Sequence, residues 1–176
     1  MKKLLKVVFL IMIVSCVSTL FSGCVKEPVV TEGEFPIYLE YEMNGERYVI
    51  EDVVVCNFKK IDTTSIRPSR WYSASLKYKS KRTIISFEEN TESKLTKGRI
   101  NEESSVLLCI GDGGYYLGDP DEKDRVPYIG YHEVYKNEPK VTHNRITKLT
   151  NEQLEEIFGI KIIKFEFSEP IENTFE

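Results

Sequence analysis

Pro36-Ile37-Tyr38-Leu39-Glu40-Tyr41-Glu42-Met43-Asn44-Gly45-Glu46-Arg47-Tyr48-Val49-Ile50 decides the fold. Both arms of this stretch alternate apolar and polar residues, the period of a strand with one buried face. Asn44-Gly45 lies between them, and both residue types tolerate the positive φ that a two-residue hairpin turn demands. A turn there pairs Tyr41 with Tyr48 and Leu39 with Ile50 on one face, and Glu42 with Arg47 on the other. Pattern and turn agree on a single register, because a slip of one residue would carry every apolar side chain to solvent.

Outward from the hairpin, the second arm runs on through Val53 to Phe58 and is apolar on both faces, as a strand becomes on entering a sheet. Glu51-Asp52 interrupts it and marks a place for a bulge. Tyr72 to Tyr78, Thr83 to Phe87, Val106 to Ile110, Tyr115 to Leu117 and Tyr128 to Tyr135 read as further strands, and residues 88–104 as a long polar connection. Thr150-Asn-Glu-Gln153 is a capping box that opens a short helix, with Leu154, Ile157 and Phe158 on one side and Gly159 as its stop. Ile160 to Phe167 follows as the last strand, with Ile163, Phe165 and Phe167 on one face. The expected fold class is α+β, mainly antiparallel sheet with an N-terminal hairpin and one short helix before the last strand.

The chain starts with Met1-Lys2-Lys3, continues almost wholly apolar to Phe21, and reaches Ser22-Gly23-Cys24. Val7 to Phe21 is short for a membrane span of about 20 residues and reads as the apolar core of an export signal. Phe21-Ser22-Gly23-Cys24 resembles the lipobox of bacterial lipoproteins, with Phe21 where that family usually has Leu. The resemblance implies cleavage between Gly23 and Cys24 and a diacylglyceryl group on the Cys24 thiol. Each buried CH₂ of such a group contributes about 0.8 kcal/mol to membrane attachment. An uncleaved anchor or a plain export signal are the alternatives, and both keep the body outside the cytoplasm. The expected organisation is a signal peptide over 1–23, a lipid-anchored tether over 24–35 and one extracytoplasmic domain over 36–176. Glu34-Phe-Pro-Ile-Tyr-Leu-Glu-Tyr-Glu-Met-Asn-Gly-Glu-Arg-Tyr48 and Gly159-Ile-Lys-Ile-Ile-Lys-Phe-Glu-Phe167 resemble the ends of a group of uncharacterised small lipoproteins of low-GC Gram-positive bacteria. That resemblance implies location and no activity.

Of 24 basic and 28 acidic side chains, Lys2, Lys3 and Lys6 belong to the leader, so the mature body is acidic and a poor match for nucleic acid. Lys59 to Arg82 runs against the average, with eight basic residues and only Asp62 acidic. It either meets anionic headgroups or wall polymers, or lies along the acidic remainder of the same molecule. Cys16 leaves with the leader, and Cys56 and Cys109 remain in apolar, strand-like runs. They form a disulfide if their strands are neighbours, or stay as buried thiols. Two cysteines so far apart have no zinc-ligand spacing.

Gly111 to Asp124 is the loop with site-like composition, and Asp119, Asp121 and Asp124 are its weak candidates for Ca²⁺ ligands. The EF-hand order is absent, and Gly111, Gly113 and Gly114 lack the Lys-Ser/Thr of a phosphate loop. No motif calls for a cofactor. His132 alternates with Tyr131 and Glu133 along a strand, His143 reads as a loop residue, and no nucleophile elbow exists. Trp71, Tyr72, Tyr115, Tyr116, Tyr128, Tyr131 and Tyr135 fill a core or present an aromatic platform. The reading that fits these features is a lipid-anchored, non-enzymatic surface protein that binds an envelope component or a protein. An envelope hydrolase and a structural accessory of a membrane complex are the alternatives.

Overall fold

The structure is a computed structural model that describes residues 25–138 and 141–176. Among them, nine strands form two antiparallel sheets. In the first, β3 (Ser69–Leu76), β2 (Glu46–Asp62), β1 (Glu32–Met43) and β9 (Ile160–Phe167) lie in that order. In the second the order is β4 (Thr83–Ser86), β6 (Ile100–Cys109), β7 (Tyr128–Glu138), β8 (Val141–Lys148), with β5 (Thr91–Glu92) also beside β6. Two short helices, α1 (Gly113–Tyr116) and α2 (Asn151–Phe158), complete the described elements. The fold is therefore mainly β, which corrects the α+β expectation. The helices are one turn and two turns long and only plug the core that the sheets enclose.

The β1–β2 hairpin turns at Asn44 (φ 55°) and Gly45 (φ 79°), and its register pairs Tyr41 with Tyr48, Leu39 with Ile50 and Glu42 with Arg47. The two tyrosine rings stack with centroids 5.3 Å apart. Ile37, Leu39, Val54 and Cys56 from the first sheet share one buried core with Val106, Leu108 and Tyr131 from the second. Phe158 of α2 packs on Tyr131 and Phe87 and ties the helix to the second sheet, while Gly159 follows in the left-handed conformation (φ 66°) and turns the chain into β9.

Several elements differ from expectation for identifiable reasons. Tyr115 to Leu117 is not a strand. Asp112 caps α1 by accepting from the Gly114 N–H, and Gly113 and Gly114 let the turn lie directly on β3, where a Cβ would meet Ser73 O at 2.7 Å or Tyr72 Cδ2 at 2.9 Å. The connection after β4 is shorter than expected, because β5 and the first half of β6 pair within it. In β9 a bulge at Ile163 turns that residue outward and leaves Ile160 buried. The expected tether is no free linker. Glu27 exchanges two backbone bonds with Glu176, Val29 donates to Thr174, and β1 already starts at Glu32, opposite Asn57.

No bulge occurs at Glu51-Asp52. Asp52 stays in register and turns into the protein beside Ile50 and Val54. Its carboxylate accepts from the N–H groups of Val53 (2.7 Å), Tyr78 (3.0 Å) and Ser80 (2.9 Å), so it fastens the turn after β3. Burial opposes the charge, but the Tyr78, Ser80 and Val53 donors outweigh it and hold the carboxyl at about 2. Because this folded value lies below the ordinary one, the carboxylate's contribution is complete above pH ~4 and fades as pH falls towards 2. Asp52→Ala, which leaves three N–H groups without their acceptor, is expected to lower stability at pH 7 by about 2–3 kcal/mol. In thermal melts the gap between wild type and variant should narrow as pH drops from 4 to about 2.

Candidate functional site

Arg70 of β3 and Asp119 of the loop after α1 meet in a buried node. Asp119 accepts from Arg70 through both oxygens, from Nε at 2.6 Å and from an Nη at 2.7 Å, and from the Tyr72 hydroxyl at 2.9 Å. The same guanidinium reaches Asp121 at 2.7 Å, donates to the Lys26 carbonyl at 3.3 Å and lies 4.6 Å from the Phe175 ring. Burial raises the cost of the Asp119 charge, yet the Arg70 fork with the Asp121 N–H and Tyr72 donors keeps its carboxyl below the ordinary range. Burial and the hydrogen bond to Asp119 push the Tyr72 phenol up. Asp119 and Asp121 are thus committed to an arginine, and Asp124 projects into solvent without joining them. The three weak candidates for Ca²⁺ ligands do not converge as a set. Among the described residues no group of three His, Cys, Asp or Glu side chains is placed to hold a metal ion.

The outer face of the second sheet carries an open groove of about 580 Å³. Arg82, Cys109, Arg125, Tyr128, His132 and Ile146 are among its lining residues. Strand alternation builds it: Val106, Leu108, Ile129 and Tyr131 turn into the core, so their neighbours Leu107, Cys109, Tyr128 and His132 turn out. His132 Nε2 lies 3.0 Å from Asn144 Oδ1 across to β8. Burial pushes the Cys109 thiol up, against the opposing influence of Tyr128 and Arg82, and burial pushes the Tyr128 phenol to about 12. Cys109 is paired with Tyr128 and His132 with Ser105. Four residues of strand therefore separate the thiol from the imidazole, about 14 Å, so they cannot act as nucleophile and base. Asp112, at the groove's edge, caps α1 and sits 3.5 Å from Arg125.

Cys56 and Cys109 are both free thiols. No disulfide joins them, because Cys109 turns outward from the second sheet while Cys56 is wholly buried in the core. Burial pushes the Cys56 thiol up to about 12, which makes it inert packing. Of the aromatics, Tyr72, Tyr115, Tyr116, Tyr131 and Tyr135 are core, and Trp71 is 58% exposed.

Glu133, on the inner face of β7 with Tyr131 and Tyr135, is buried as an ion pair with Arg99 at 3.3 Å. It also accepts from Asn101 at 3.0 Å and from the Ser93 hydroxyl. Arg99 lies 4.2 Å over the Tyr135 ring. This network folds the 93–99 segment beneath the sheet. Period-2 alternation had already put Glu133 on the same side as Tyr131, whereas nothing local marked Arg70 as the partner of Asp119.

The leader, Cys16 and the lipidation candidate Cys24 lie outside the described residues. Among the described residues no helix is long and apolar enough to cross a membrane. Compared with known protein families, curated protein sequences and solved structures, the chain matches none.

Arg70→Ala should lower the free energy of unfolding by about 3–5 kcal/mol in urea titrations, since it strands the Asp119 charge in the interior. Arg70→Lys restores the charge without the two-pronged geometry and should fall between wild type and Arg70→Ala.

Proposed function

We propose that this chain is a lipid-anchored surface protein of the cell membrane, held on the extracytoplasmic face through Cys24, that binds an envelope component or a protein. The basic start, the apolar run and Phe21-Ser22-Gly23-Cys24 support the anchor. The observation that carries the binding role is the composition of the groove on the second sheet. It combines apolar side chains, the phenol of Tyr128, the Asn144-bonded His132 and the guanidinium groups of Arg82 and Arg125 on an open surface, while its thiol and imidazole stand apart. Such a surface recognises by shape and hydrogen bonding and has no positioned nucleophile.

A fatty-acid probe fed to cells should label wild type and leave Cys24→Ala unlabelled, with the variant's distribution shifted from membrane towards medium. An unlabelled wild type would defeat the anchor. For the groove, a photo-crosslinking residue at Ile146 should capture a discrete envelope component in intact cells. The same residue at Ile163, exposed on β9, serves as the comparison, and equal capture from both positions would defeat the groove as the binding surface.

A further inference from the structure

The β2–β3 connection sorts the basic stretch between Lys59 and Arg82 into groups. Arg70 and Lys77 are neutralised within the molecule, by Asp119 with Asp121 and by Glu34. Because β3 runs antiparallel to β2, it carries Lys79, Lys81 and Arg82 to the far end of the strand and leaves Lys59, Lys60 and Arg67 around the hairpin tip. These three are exposed and have no ion pair among the described residues. Asp62, the acid within the connection itself, is folded into the turn, where it accepts from the Thr64 N–H and hydroxyl.

Between these cations stand apolar side chains that the core does not use. Ile66 at the tip is fully exposed, and Trp71 is more than half exposed, with the Lys60 ammonium 5.0 Å from its ring centroid. An aliphatic tip, an indole at its base and surrounding lysines form the combination that settles at a bilayer interface, where the indole sits at headgroup depth and the cations meet anionic lipid. A soluble anionic polymer would have no use for Ile66.

The same end of the molecule receives the N-terminal segment. Phe58 donates to the Thr31 carbonyl, and Arg70, paired with Ile61, donates to the carbonyl of Lys26. Lys26 is therefore level with the last rows of the hairpin, and the tip projects past it. Only Val25 separates Lys26 from Cys24, a reach of at most about 7 Å.

We infer that the β2–β3 hairpin tip docks on the anionic surface of the membrane that holds the anchor, with Ile66 and Trp71 entering the interface and Lys59, Lys60 and Arg67 on the headgroups. This rests on lipidation of Cys24. Trp71 is the only tryptophan in the chain and reports directly. The mature lipidated protein is reconstituted in phosphatidylcholine vesicles with and without phosphatidylglycerol; flotation reads the anchor, and Trp71 emission with quenching by doxyl-labelled lipid reads the hairpin. With phosphatidylglycerol present, the emission should move to the blue and become quenchable, and about 0.5 M salt should reverse both. Lys59→Gln, Lys60→Gln and Arg67→Gln should each lower the ratio of docked to undocked protein about 5-fold. Protein that floats while its Trp71 emission is the same in both vesicles would overturn the docking and leave the anchor standing. Protein that does not float would overturn the anchor, and the docking with it.

Discussion

Arg70 is the point at which separate parts of the chain become one body. Its fork satisfies both oxygens of Asp119, and its remaining contacts reach Asp121, the carbonyl of Lys26 and the face of Phe175. One side chain thus joins β3, the loop after α1, the N-terminal segment and the C-terminal segment. Buried ion pairs contribute little net stability when compared with apolar replacements, because desolvation offsets their attraction. Their directional demand is another matter: a bidentate guanidinium–carboxylate pair holds only in one geometry. The Tyr72 hydroxyl and the Asp121 N–H complete the acceptor capacity of Asp119, so the loop has a single well-satisfied seat.

A second buried carboxylate performs the same service for each sheet. Asp52 secures the turn after β3 through the Tyr78 and Ser80 N–H groups, and Glu133 secures the 93–99 segment through Arg99 and Ser93. In each case an acid on the inner face of a strand gathers donors from an irregular segment that has too few apolar residues to pack on its own. The chemistry that looks reactive in the sequence is therefore consumed by architecture. What remains free is at the surface, in the groove outside β6, β7 and β8 and at the tip of the β2–β3 hairpin.

The parts of the fold that were legible were those in which local chemistry and long-range packing demand the same thing. Asn44-Gly45 with period-2 flanks admits one register, and Thr150-Gln153 with Gly159 admits one helix. The opposite cases share a cause. β8 is a polar edge strand, mostly exposed on both faces, so Val141 to Lys148 carries no burial pattern, and its pairing comes from β7 alone. Residues 25–35 look like a linker because Pro28, Gly33 and three glutamates oppose regular structure, yet residues 27–30 find their partners in residues 173–176 at the other end of the chain. Asp119 looked like a candidate ligand because carboxylates on a Gly/Pro-rich loop serve cations. The cation it serves is an arginine 49 residues away. Cys56 and Cys109 differ in strand parity across two sheets, and that difference appears only once the sheets are assembled.

The seating of residues 26–30 changes what an anchor at Cys24 would do. A free linker of eleven residues would let the body tumble above the membrane within about 20 Å. With the chain fixed from Lys26 onward, only Val25 would lie between the body and the anchor, so the body would be held at one end and a neighbouring surface feature would meet the bilayer at a very high effective concentration. Three cations at roughly 1 kcal/mol each would hold a soluble protein weakly. On a protein already retained by acyl chains, the same contact is sufficient to select one orientation. Retention and orientation would then come from different sources, the lipid on Cys24 for the first and the hairpin for the second.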